Sequence, residues 1–342
     1  TTEGGYYDGD KIRFRQGTPE KIGGWTQIST STFEGVCRSL HNWVTLGGQN
    51  LIGVGTHLKF YISNVGNYND VTPIRATVSL SNPFTTVSGS AVITVLDSNG
   101  GYQDGDYVTF SNASAVGGLT IDGEFVVSLS VTTAANSYSI TASSNATSSA
   151  TGGGTVSAAY QINVGNPFAV PIEGWGASSW GSGAWNVGES STTAIRFFSQ
   201  SNFGEDLIFG NNGGSIFYWD ATGSVTTRAV LLSTLSGASD VPVVQNLILV
   251  SDISRFVFCF GTNEIGSDTI DPTLLRWSDQ EDATNWTPSA TNQAGSLRLS
   301  RGTKIVAASQ ARQEVLVWTD SSLYSLQYVG APAVWAATLV GE

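Results

Sequence analysis

Glu205-Asp206-Leu207-Ile208-Phe209-Gly210, leading into Ser215-Ile216-Phe217-Tyr218-Trp219, is an apolar strand, a short Gly/Asn/Ser turn and a second strand rich in aromatics. The unit recurs as Asn50-Leu51-Ile52-Gly53-Val54-Gly55 before Leu58-Lys59-Phe60-Tyr61-Ile62, and as Glu314-Val315-Leu316-Val317-Trp318-Thr319 before Ser322-Leu323-Tyr324-Ser325-Leu326. A less regular copy runs from Gln245-Asn246-Leu247-Ile248-Leu249-Val250 through Phe256-Val257-Phe258-Cys259-Phe260 to Leu274-Leu275-Arg276-Trp277. No long segment places apolar residues at i, i+3, i+4 and i+7, so helices contribute little. The chain is therefore expected to be all-β, and the repeat has the rhythm of β-propeller blades. One four-stranded sheet cannot cover its own apolar faces, whereas blades stacked around an axis cover both faces and protect most edges. Four such units are few for a ring. The expectation is an incomplete propeller, with further blades beyond Glu342 or completion by other segments.

Three regions follow from this reading. Residues 1–75 hold an N-terminal strand motif and the first blade. Residues 76–161 are poor in Trp and rich in Val, Ser, Thr, Ala and Gly. Their strand-like pieces (Ala91–Val95, Asp106–Phe110, Glu124–Val127, Ser137–Ile140) and the low-complexity tract 142–154 predict a small inserted β-barrel or sandwich, which a surface loop tolerates at little entropic cost. Residues 162–342 hold the further blades. They begin with a Gly/Trp-rich loop, 165–189, whose Trp175, Trp180 and Trp185 are candidates for anchoring the loop or for contacting a neighbouring subunit. At the start of the chain, Ile12 and Phe14 alternate with Lys11, Arg13 and Arg15, predicting a strand with one buried and one wet face. Gly17-Thr18-Pro19 is expected to break that strand, and Gly23-Gly24 to bend the chain before Trp25.

Composition excludes several functions. The 342 residues carry a net charge of −12, with only 4 Lys and 11 Arg, so no basic stripe exists to grip phosphates. Acidic walls would repel a DNA duplex and let it slide. Charged residues make up only 12%, but 10 Trp, 11 Tyr and 15 Phe supply enough buried surface to argue against disorder. Cys37 and Cys259 make no disulfide framework and read as two buried free thiols. No apolar run reaches the length of a membrane span and no signal peptide is visible. The absence of Met, even at position 1, and the stop at Gly341-Glu342 just after a strand-like stretch predict a piece of a longer polypeptide.

Catalytic and metal chemistry finds little support. His41 and His57 are the only histidines; neither lies in a nucleophile motif, and they are too few for a zinc site. Both read as strand residues. Asp97, Asn99, Asp104 and Asp106 crowd one turn, an oxygen-rich loop that can hold calcium, yet the spacing is not that of an EF-hand and these are ordinary turn residues. Trp277-Ser278-Asp279-Gln280-Glu281-Asp282-Ala283-Thr284-Asn285-Trp286 is similar to the Asp-box hairpin of sialidase propellers, without the turn Gly. No motif supplies the arginine cluster or tyrosine nucleophile of a sialidase. The reading is a structural hairpin closed by two Trp residues, with no catalytic residue and no cofactor.

The wording of Asp10-Lys11-Ile12-Arg13-Phe14-Arg15 through Pro19-Glu20-Lys21-Ile22-Gly23-Gly24-Trp25 resembles the N-terminal signature of the tail-hub or tail-nozzle proteins of short-tailed phages, related to the packaged-DNA stabilisation proteins. The hairpin from Leu275-Arg276-Trp277-Ser278-Asp279 to Asn285-Trp286-Thr287-Pro288 resembles a second element of that family. The insert, with Gly105-Asp106-Tyr107-Val108-Thr109-Phe110 and Gly123-Glu124-Phe125, resembles small β-domains embedded in phage tail proteins. The resemblance implies a non-enzymatic subunit of a hexameric nozzle in the virion tail, assembled in the host cytoplasm. It would contact the tail adaptor and a fibre, spike or needle, and pass double-stranded DNA through its lumen without specific binding or membrane insertion. Lys11, Arg13 and Arg15, the densest positive cluster, are expected to face an acidic neighbouring subunit. Two alternatives stay open: a glycan-binding or glycan-degrading tail propeller whose Trp residues stack on sugars, and an adhesin-like host surface protein.

Overall fold

Four antiparallel meanders, each with four strands paired in sequence order, form the larger part of the structure. The structure is a computed structural model and describes residues 11–23, 29–99, 101–130, 135–163 and 197–342, with the backbone alone of the short pair Glu173–Gly174 and Glu189–Ser190. Sheet I consists of Cys37–Val44, Asn50–Thr56, Phe60–Asn64 and Asn67–Asp70. Sheet II consists of Phe198–Phe203, Asp206–Asn211, Phe217–Trp219 and Val230–Leu231. Gln245–Val250, Val257–Asn263, Ile270–Trp277 and Gly295–Arg298 make sheet III. Ile305–Gln310, Glu314–Thr319, Leu323–Gly330 and Val334–Gly341 make sheet IV. Among the described residues the helical content is one 3-10 turn, Leu232–Thr234, and no helix is long and apolar enough to cross a membrane. The chain is all-β, as its periodicity requires.

Strand alternation explains how the sheets stack. Side chains point to opposite faces at successive positions, so a strand apolar on both faces serves two cores. In sheet II, Leu207 and Phe209 face Trp43, Leu51, Phe60 and Ile62 of sheet I, while Ile208 belongs to the next core with Ile248, Val250, Val257 and Cys259 of sheet III. Sheet III repeats the arrangement: Phe258 and Phe260 turn the other way, onto Val315, Val317, Tyr324 and Trp335 of sheet IV. The rings of Phe60 and Phe209 lie 3.9 Å apart at 8° across the first interface. Aromatic pairs of this kind contribute about 0.5–1.5 kcal/mol beyond area burial.

The first strand of each sheet packs against the first or second strand of the one before. Glycine permits that approach. A Cβ on Gly53 would sit 2.1 Å from Gln200 Oε1, and one on Gly210 would sit 2.6 Å from the Ser215 carbonyl oxygen and 2.6 Å from Gln245 Nε2. Glycine inside a strand often marks such a close approach, which is why it recurs in the repeat unit.

The insert is a two-sheet sandwich. One sheet pairs Gly123–Val126, Tyr107–Ser111, Thr155–Gln161 and Ile74–Ser81; the other pairs Ser137–Thr141, Val92–Leu96, Phe84–Thr86 and Ala150–Gly152. Phe84, Ile93, Val95, Phe110, Tyr138 and Val156 fill the space between them. Of the two forms expected, barrel and sandwich, the barrel is not found among the described residues. The sheets meet at one corner through an isolated pairing of Ser128 with Ser139, too little to close a ladder. The outgoing strand Ile74–Ser81 and the returning strand Thr155–Gln161 are hydrogen-bonded neighbours, so the excursion leaves and returns at one place.

Candidate functional site

The N-terminal motif forms a two-stranded hairpin, Ile12–Arg15 paired with Thr18–Lys21. Gln16 and Gly17, both at positive φ, make the two-residue turn, so Thr18 and Pro19 already belong to the second strand and do not break the first. Phe14 is 55% exposed on this two-stranded ribbon, and Ile12 is half-buried. Arg13 Nε donates to Glu20 Oε2 at 3.1 Å, an exposed pair worth about 0–1 kcal/mol. Arg15 and Lys11 lie on the same hairpin, exposed. Trp25, Trp175, Trp180 and Trp185 lie outside the described residues.

The remaining sequence candidates are distributed over the fold. His41 Nε2 lies 3.2 Å from Asn202 Oδ1, and its ring stacks on Trp43. His57 sits in the turn after Asn50–Thr56, not in a strand; its Nδ1 accepts the Val36 N–H at 2.9 Å, and burial lowers its proton affinity. Cys259 is fully buried and Cys37 only half-buried, both free. The acidic turn disperses its carboxylates. Asp97 accepts from Tyr160 Oη at 2.7 Å, Asp106 from Arg75 Nη2 at 2.7 Å, and Asp104 from the Leu129 N–H at 2.8 Å. Among the described residues no group of three or more His, Cys, Asp or Glu converges as metal ligands. In the 277–286 hairpin, Asp282 Oδ1 accepts from the Thr284 N–H at 2.8 Å, and Trp286 Nε1 donates to the Ala283 carbonyl at 2.8 Å. Trp277 and Trp286 are buried in the cores on opposite sides of sheet III, one toward sheet IV and one toward sheet II.

Two buried cations were not singled out from sequence. Lys59, only 4% exposed, immediately precedes the third strand of sheet I and carries its ammonium into the junction with the sandwich. It binds Glu124 of the sandwich directly and lies 3.3 Å from Glu34 and 3.6 Å from Asp70. Its Nζ also stands 4.6 Å from the centre of the Tyr107 ring. Arg228, in the loop before the last strand of sheet II, closes the cluster, with Nη2 at 3.1 Å from Asp70 and Nη1 donating to the Thr72 carbonyl at 2.7 Å. Gln161 Nε2 donates to Glu124 at 2.5 Å. Burial alone would lower the proton affinity of Lys59. The carboxylates of Glu124, Asp70 and Glu34 outweigh it and raise the affinity above the ordinary lysine range. Burial, followed by the charge of Glu34, pushes the Tyr107 hydroxyl up to about 12.

Arg276, 2% exposed, is held differently. Its Nη2 donates to the carbonyls of Asp240 at 2.5 Å and Trp286 at 3.5 Å, and its Nη1 to that of Asn263 at 3.3 Å. No ion pair engages it among the described residues. Burial lowers its proton affinity from the ordinary value. Arg276 lines a cavity of about 340 Å³ at one end of the interface between sheets II and III. Asn263 fixes both walls: its Oδ1 accepts the Val243 and Val244 N–H groups at 3.0 and 3.2 Å, and its Nδ2 donates to the Glu264 and Ser267 carbonyls at 3.0 and 2.8 Å. A lone charge in an apolar run was the available signal for both cations, in Leu58-Lys59-Phe60 and Leu275-Arg276-Trp277. Such residues are almost never fully buried without partners.

No family model and no curated protein matches the chain. The chain is similar to the phage phi92 endosialidase, at a TM-score of 0.24 and 15% identity over 91% of this chain. It spans 44% of that protein's length.

Proposed function

We propose that this chain is a structural subunit of a phage tail, of the hub or nozzle type, and that sheets I to IV are blades of a β-propeller. The observation that carries the blade assignment is the regular stacking: four in-order meanders, each with its first strand against the first two strands of the meander before. The wording of the N-terminal motif supports the tail assignment. Charge supports the channel role. The protein has a net charge of −12, and Lys59, Arg75, Arg228 and Arg298 are paired with carboxylates of the same chain and Arg276 with carbonyls. In this proposal the protein is non-catalytic. Copies associate as a hexameric ring around the DNA path, acidic groups line the lumen, and the basic hairpin of Lys11, Arg13 and Arg15 meets an acidic surface of the next copy.

Native mass measurement of the purified protein with its tail partners tests this. The expected species is a ring of about six copies. Reversing Lys11, Arg13 and Arg15 to Glu is expected to reduce it to smaller species while leaving the fold intact. A wild-type protein that stays monomeric with its partners would refute the ring, and a triple variant that assembles normally would refute the role of the hairpin.

A further inference from the structure

We propose that the cavity between sheets II and III, floored by Arg276, binds a neutral saccharide. The inference is independent of the tail assignment and rests on the chemistry of the cavity. About 340 Å³ is at the small end of ligand pockets, which run from roughly 300 to 1,000 Å³.

The polar groups of the cavity select the ligand. A guanidinium has five N–H donors, and three of those on Arg276 are directed at backbone carbonyls. No acceptor among the described residues takes the other two. The carboxylate of Asp268 also lines the cavity and makes no hydrogen bond or ion pair among the described residues. Asp240, which also lines the cavity, is held at φ +49; one carboxylate oxygen accepts from Thr287 Oγ1 at 2.6 Å and the other is unengaged among the described residues. A small anion would find the guanidinium but meet two carboxylates. A metal cation would find the carboxylates but meet the guanidinium. A polyhydroxylated neutral molecule satisfies both, since each hydroxyl donates to a carboxylate and accepts from a guanidinium N–H. Val243 and Ile265 also line the cavity, 44% and 45% exposed, and offer apolar surface to the C–H face of a sugar ring.

The walls are fixed in advance. Asn263, 3% exposed, clamps the segment around Val243 to the segment around Ser267 with four hydrogen bonds. Ser239 Oγ donates to Asn285 Oδ1 at 3.1 Å and ties the rim to the 277–286 hairpin. A site whose polar groups are held by neighbours loses little entropy when a ligand binds.

Titration of the full chain followed by calorimetry and by ligand-observed NMR provides the test. The probes are maltose, lactose, cellobiose and chitobiose, each as the free disaccharide and as the end of a longer oligomer, with sialyllactose and inorganic phosphate as anionic comparators. The expected result is saturable binding of at least one neutral sugar, with a dissociation constant on the order of 1 mM or tighter. Binding of the free disaccharide identifies a soluble ligand, and binding of the oligomer alone identifies a polymer end; both support the proposal. Ile265→Trp, which fills the mouth, and Asp268→Asn, which removes an acceptor charge, are each expected to weaken binding at least tenfold. Both positions are exposed, so the fold is retained, and an unchanged circular dichroism spectrum checks this. Binding of phosphate or sialyllactose in preference, no binding of any neutral probe, or neutral binding that survives Ile265→Trp would each overturn the proposal.

Discussion

Lys59 and Arg276 are both buried cations at the ends of inner strands, and they are neutralised in opposite ways. Lys59 has three carboxylates within 4 Å, contributed by Glu34, Asp70 and Glu124 from separate segments. Arg276 has three backbone carbonyls and a cavity. The first arrangement joins parts of the molecule, because its ligands come from sheet I, the segment that crosses it and the sandwich. The second holds the ends of three loops and keeps part of its donor capacity for something else. Desolvation of a charge must be offset by partners, and the kind of partner tells a structural tie from a site with capacity left over.

Substitutions at the two cations sharpen this contrast. Arg276→Leu carries the largest expected cost, about 3–5 kcal/mol, because it leaves the carbonyls of Asp240, Asn263 and Trp286 without donors inside the structure. Urea denaturation followed by Trp fluorescence reads it; a loss below about 1 kcal/mol would mean that water serves those carbonyls equally well. Lys59→Met is expected to cost about 1–3 kcal/mol, less than Arg276→Leu, since Arg228 stays beside Asp70 and the carboxylates are partly open to water. Its effect should appear as faster hydrogen exchange in Tyr107–Ser111 and Gly123–Val126 of the sandwich, and exchange that rises only in sheet IV would break the assignment of Lys59 as a tie.

Alkaline pH gives a smaller effect with a defined sign. The folded state raises the proton affinity of Lys59, so its contribution is complete below the unfolded lysine value of about 10.4 and is lost as pH rises beyond it toward the folded value. The stability difference between wild type and Lys59→Met is therefore expected to stay constant from pH 7 to about 10 and to shrink above that. A difference that collapses near pH 8 would show that the carboxylates do not hold the proton. Arg228→Gln is expected to cost the least, about 1 kcal/mol or below, because its guanidinium is about a third exposed and Lys59 remains.

Much of the fold was legible because strand chemistry is local. The alternation in Leu207-Ile208-Phe209 and in Val257-Phe258-Cys259-Phe260 announces strands with two buried faces, and the glycines Gly53 and Gly210 mark where neighbouring strands approach. The all-β class followed from the recurring strand units and the lack of helical spacing; the close approaches at the glycines emerged only in the structure. The exposed face of the N-terminal hairpin did not, because alternation reports which residues share a face and not whether anything covers it. Sandwich or barrel was undecidable for a related reason: closure depends on which edge strands find each other, and here Ser128 and Ser139 pair alone. The Lys59 and Arg276 sites were illegible as sites. Glu34, Asp70, Glu124 and Arg228 stand beside Lys59 only after the sandwich docks, and the cavity exists only once the loops around Asp240 and Asn263 are clamped together.

The proposed role in a tail channel is tested most directly by electron microscopy of assembled particles containing this chain. The account predicts a ring of copies around the DNA path, with sheets I to IV as blades and the sandwich projecting from between the first two. Copies found instead at the periphery, away from the channel and without ring symmetry, would contradict it.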